Sequence, residues 1–128
     1  MEENIAQEIM GEFAGRTGLL AEGGPPVRRY LWTDAFAVCN YLALFERSGR
    51  EEHLHLALGL VDQVHEILGR HREDDPRSGW ISGLEERAGR LHPTACGLRI
   101  GKKLPERLEG EPFDERLEWE REIGRAHV

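Results

Sequence analysis

Nowhere in these 128 residues is there an apolar run near the roughly 20 residues that a membrane-spanning helix needs. The first residues, Met1-Glu2-Glu3-Asn4, lack the basic and apolar regions of a secretion signal. Cysteine is nearly absent: Cys39 and Cys96 are the only two. They make no disulfide framework of the kind small secreted domains use, so a reduced, cytoplasmic protein is expected. Positive charge is in deficit, with 17 Lys and Arg against 24 Asp and Glu and a formal net charge of −7. Nucleic acid is thereby a poor partner, because phosphate contacts need a basic face. Familiar catalytic and metal signatures are missing too. There is no Gly-x-x-x-x-Gly-Lys-Ser/Thr loop, no Gly-x-Ser-x-Gly elbow and no Cys-x-x-Cys pair. His53, His55, His65 and His71 do not replace them, since their spacings spread them over different helix faces and zinc needs three or four convergent ligands. No metal and no cofactor is expected.

What the chain does have is helical periodicity. Ile5, Ile9 and Phe13, with Ala6 and Met10 alongside, predict an amphipathic helix over Glu3–Phe13. Gly15, Gly18, Gly23, Gly24, Pro25 and Pro26 then predict an irregular connection. A second helix starts at Trp32 or Thr33, carries Asp34 in its first turn, and stops at Gly49 after Ser48. It is apolar on nearly every side and asks for neighbours on every face. Cys39 is expected in its core as a small hydrophobe. The third helix, Glu51–Leu68, has a stripe of Leu54, Ala57, Leu58, Val61, Val64, Ile67 and Leu68. The short link between the two dictates an antiparallel helical hairpin.

Beyond the hairpin the signal weakens. Asp74-Asp75-Pro76-Arg77-Ser78-Gly79 is turn chemistry, and Trp80–Leu84 and Cys96–Gly101 read as short strands weakened by glycine. No helix is expected across His71–Pro112, where Trp80, Ile81, Leu98 and Ile100 argue for order. A charged helix over Asp114–Glu122 closes the pattern, with Phe113 and Leu117 as its buried face and Trp119 pointing elsewhere. The fold class is therefore mainly α: a helical hairpin with flanking N- and C-terminal helices and a long irregular segment, in a single helical domain over residues 1–128.

Tyr30-Leu31-Trp32-Thr33-Asp34-Ala35-Phe36, the inner–outer helix pair, His92-Pro93-Thr94 and Gly97-Leu98-Arg99-Ile100-Gly101-Lys102 resemble the (α/α)6-toroid proteins. That group includes six-hairpin glycosidases, N-acylglucosamine 2-epimerase-like proteins and uncharacterised bacterial relatives. The resemblance covers residues 27–119 and corresponds to the N-terminal third of such a ring. It implies inner helices lining a cavity and a sugar site at one end. About four hairpins of the ring have no counterpart here, so this chain by itself is expected to be an inactive piece of a toroid.

Two constellations offer chemistry. Trp32 can stack on a sugar ring while Asp34 accepts hydroxyl protons. The competing and favoured reading is that Asp34 serves the helix N-terminus and Trp32 packs on a neighbouring connection. His92 can exchange protons near neutrality, and Arg99 with Lys102 can hold a carboxylate or phosphate. Against this, Glu85–Lys103 carries a charge of +3 and Glu106–Glu122 a charge of −5, and pairing between these segments is the favoured alternative. The two function classes are a non-catalytic interaction or scaffold module and a sugar- or small-anion-binding remnant of a carbohydrate-active enzyme. The first is preferred. One outer helix cannot cover an inner helix that is apolar all round, so a homodimer through that helix is expected.

Overall fold

The computed structural model describes residues 2–19, 28–105, 107 and 110–121, with side chains from residue 5 onward except that of residue 118. Five helices organise them: α1 (Glu2–Arg16), α2 (Leu31–Ser48), α3 (Glu51–Leu68), α4 (Glu86–Leu91) and α5 (Glu115–Glu118). The protein is mainly α, and among the described residues its strand-like pairings are isolated bridges, Arg70 with Trp80 and Leu104 with Arg121, with Leu98 a bridge residue as well. Two compact units divide the chain, residues 1–64 and 65–128, with the boundary inside α3.

In the first unit three helices alternate in direction. Arg29, just ahead of α2, donates to the Thr17 carbonyl just past α1. Half-way along both helices the Tyr41 hydroxyl donates to the Met10 carbonyl at 2.7 Å. So α2 runs antiparallel to α1. Arg50, at the start of α3, donates to Gln7 at 3.3 Å, and Gln63, near its end, donates to the Leu19 carbonyl at 3.2 Å. Hence α3 runs parallel to α1 and antiparallel to α2, as a hairpin requires. The reversal falls at Gly49, whose φ of 71° suits a residue without Cβ and whose N–H closes on the Phe45 carbonyl at 2.8 Å.

The core positions differ from those the periodicity suggested. Helix α1 buries Met10 and Ala14, while Ile5 and Ile9 are exposed. Helix α3 buries His53, Ala57, Leu60, Val64 and Leu68, leaving Leu58 exposed. Both stripes are rotated from the expected ones because each helix is apolar over a wider arc than its neighbours cover. Helix α2 is not buried all round either: only Asp34, Ala37, Tyr41 and Leu44 are interior. Cys39, expected in the core, is exposed. Residues 20–27 of the expected glycine- and proline-rich connection lie outside the described residues.

The second unit is built on Trp80. Its indole is buried, and the Arg70 guanidinium lies 4.0 Å from the ring centroid, a cation–π stack. The ring passes so close to the backbone that only glycine fits beside it at residue 89, where a Cβ would sit 2.2 Å from Trp80 Cδ1. Arg70 and Arg90 both bind Glu66 and Glu86, making a four-membered charge network over the same ring. Arg99 closes the C-terminus of α3: its side chain donates to the carbonyls of Ile67 at 2.8 Å and Arg70 at 2.7 Å. Three expectations are corrected here. A helix, α4, does form within His71–Pro112, started by the Glu85 carboxylate accepting from the N–H groups of Arg87 and Ala88. Trp80–Leu84 forms one bridge rather than a strand, because Gly83 turns back onto the Trp80 carbonyl at 2.9 Å. Finally, Phe113 and Leu117 are exposed, since α5 is a single turn and too short to dock a face.

Candidate functional site

The first unit carries three features beyond simple packing. One is a buried ion pair at the start of α2. Asp34 Oδ2 accepts from the Tyr30 N–H at 3.1 Å, so the carboxylate caps its own helix. Its Oδ1 lies 3.5 Å from Arg29 Nη1, and both side chains are almost fully buried. Burial raises the Asp34 pKa against the pull of Arg29, and burial lowers that of Arg29 against the pull of Asp34. Trp32, two residues from Asp34, is half exposed on a different face of the helix. The sequence pair Trp32 and Asp34 therefore does not converge on one ligand. Arg29 was not singled out by sequence reasoning. The signal available was its five-residue spacing to Asp34 across a helix start.

The second feature is the open face of α2. Trp32, Ala35, Phe36, Cys39, Leu42 and Ala43 are all exposed. They recur at i, i+3, i+4, i+7, i+10 and i+11, one face of a helix. Phe36 is 73 % exposed, in mid-stripe, where a phenyl ring has no reason to face water. The charged residues Glu46 and Arg47 follow only at the end of the stripe.

The third is a cleft of about 760 Å³ between α1 and α3. Its apolar lining includes Met10, Ala14, Leu19 and Leu56, and Gly11 and Gly59 leave it bare backbone on either side. His53 reaches into it with its side chain 7 % exposed, and neither ring nitrogen has a hydrogen-bond partner. His55 lines the same cleft from the exposed side. Spacing had separated these two histidines, and it did not reveal that His53 is interior.

In the second unit the expected basic site is differently employed. Arg99 serves the α3 C-terminus, its guanidinium donating to the carbonyls of Ile67 and Arg70. His92 is exposed and ends α4 through its backbone N–H, which donates to the carbonyls of Ala88 and Gly89. The carbonyl of Lys102 accepts from Arg72. Among the described residues, the expected pairing of the two charged segments is seen at Lys103, whose ammonium lies 3.7 Å from the Glu120 carboxylate. Glu106, Glu109 and Glu122 lie outside the described residues. Among the described residues no three His, Cys, Asp or Glu side chains gather as a metal site would need, and no helix is long and apolar enough to cross a membrane. Comparison with protein-family models, curated proteins and solved structures finds no match to this chain.

Proposed function

We propose that this chain is a non-catalytic interaction module, a toroid-type helical hairpin without its ring neighbours, that self-associates through the open face of α2. The observation that carries this reading is the run of exposed apolar side chains from Trp32 to Ala43. A stripe three turns long with two large aromatics exposes on the order of several hundred Å², the scale at which patches mark interaction sites. A second copy is the fitting occupant. Trp32 and Glu46 lie equally far on either side of Cys39, so two α2 helices packed antiparallel about a two-fold axis bring Cys39 beside its counterpart. That arrangement also sets Glu46 near the positive N-terminal end of the facing helix. A sugar- or small-anion site around Trp32, Asp34, His92, Arg99 and Lys102 would need Asp34 and Arg99 released from their present partners.

Light scattering on a size-exclusion column tests this. The expected mass is twice the 14.6 kDa of one chain, and Phe36→Asp should return it to one. Cys39 should react slowly with a thiol reagent while Cys96, also exposed, reacts at once. A monodisperse monomer with both thiols equally reactive would overturn the reading.

A further inference from the structure

We infer that the cleft between α1 and α3 binds an uncharged amphiphile: an apolar chain or ring carrying a hydroxyl group, which His53 receives. The cleft has the size of a small-molecule site and a polarity along its length. Gln7 and Arg50 meet at one end, where α3 begins. His53 lies one turn further in, and Ala14, Gly59 and Leu19 lie deeper. An elongated ligand with one polar end matches that gradient.

The buried imidazole names the head group. Leaving both nitrogens of so buried a ring without a hydrogen bond is costly unless something supplies one. An imidazole presents a donor and an acceptor, or two donors, according to its protonation. A hydroxyl, which both donates and accepts, matches either state. An ammonium group only donates, and the carboxylate near the ring, that of Glu52 at 4.0 Å from His53 Nε2, is already paired with Arg50. An acid meets the opposite obstacle. Glu8 and Glu52 stand at the rim against a single guanidinium, Arg50, which is already paired with Glu52.

The glycines supply the body of the site. A Cβ at Gly11 or Gly59 would touch nothing within 4 Å, so the space beside each is open. Both lie inside helices, where glycine is unfavourable. Filling the cleft from Gly59 therefore blocks a ligand without removing any contact the fold uses.

The test uses three probes with one apolar body: 4-butylphenol, 4-butylbenzoate and 4-butylbenzylamine. Titration followed by the imidazole resonances of His53 and His55, both lining the cleft, and by His55 alone in the His53→Leu variant, should show one phenol per chain, with the acid and the amine at least about tenfold weaker. His53→Leu should weaken the phenol by about tenfold, the usual loss for one hydrogen bond. Gly59→Phe should abolish binding while the circular dichroism spectrum and melting temperature are kept. The proposal is overturned if the phenol does not bind by millimolar concentration, if the acid or amine binds as well, or if binding survives in a folded Gly59→Phe variant.

Discussion

An alanine at position 89 would place its Cβ 2.2 Å from Cδ1, 2.4 Å from Cγ and 2.6 Å from Nε1 of Trp80. Carbon atoms prefer separations of about 3.5–4.0 Å, so the ring or α4 must move by more than 1 Å. The ring has little room: the Arg70 guanidinium lies 4.0 Å from its centroid, and the backbone at Gly69 runs along its Cζ3 edge. Overpacking of this kind costs about 1–3 kcal/mol, occasionally more. Alanine's higher helix propensity returns at most about 1 kcal/mol in a helix interior, and less in a helix as short as α4. Gly89→Ala should therefore destabilise the second unit by about 2 kcal/mol. Gly59→Ala, in the middle of α3 with open space beside it, should stabilise by up to about 1 kcal/mol. Urea denaturation followed by near-ultraviolet circular dichroism and tryptophan fluorescence reads both, since Trp80 is buried while Trp119 is exposed. A Gly89→Ala variant as stable as the parent would refute the close packing of glycine on indole.

Breaking the Arg29–Asp34 pair one residue at a time strands a buried charge, so Arg29→Met and Asp34→Leu should each cost about 3–5 kcal/mol by thermal melting. The double variant should cost less than either; additive losses would refute the coupling. Glu86 is pulled down to about 2 by hydrogen bonds from Arg70, and Asp75 to about 2 by Arg77. Their contribution is present above ordinary carboxylate values and is lost as pH falls toward 2. Asp34 has the opposite sign: its raised pKa favours the fold when protonated, and that gain disappears as pH rises through the raised value. Melting curves from pH 2 to 7 on Glu86→Gln and Asp34→Asn should show the acid-side slope reduced in the first, and the opposing slope absent in the second. Arg99→Ala should lose about 1.5–3 kcal/mol by removing charged donors from the carbonyls at the end of α3, and Arg99→Lys should recover only part, since an ammonium cannot reproduce the guanidinium's two-carbonyl fork. Equal stability of Arg99→Lys and the parent would argue against that fork.

Helix existence and limits were legible where local chemistry decides them. Asp34 near the start of α2 and Gly49 at its end are read from propensity and backbone conformation alone, and both helices of the hairpin lie within two residues of their expected bounds. Which face each helix buries was not legible. Ile5 and Ile9 form as good a stripe as Met10 and Ala14, and only the neighbouring helix chooses between them. For the same reason His53 was weighed as a metal ligand rather than as part of the buried stripe with Ala57 and Leu60. Glycines carry the least local information. Gly59 and Gly89 both stand in helical segments, yet one faces open space and the other an indole.

Helix α2 places a charged pair inside and aromatic rings outside, the reverse of what burial energetics favours for an isolated helix. Two local facts explain the inside. Asp34 closes the helix start through the Tyr30 N–H, and Arg29 ties that start to the end of α1 through the Thr17 carbonyl. Together they fix how α2 is rotated against α1, and the Tyr41 hydroxyl on the Met10 carbonyl fixes the same rotation two turns further on. Once that rotation is set, Trp32, Phe36 and Cys39 must face outward, because they lie on other faces from Asp34, Ala37 and Tyr41. The outward rings are then a consequence of polar contacts that specify orientation. An apolar face held in place by such contacts is presented rigidly, and a rigid face loses less entropy on meeting a partner than a mobile one. The buried polar anchors and the exposed apolar stripe thus act as one device, and the proposed self-association depends on Arg29 and Asp34 as much as on Phe36.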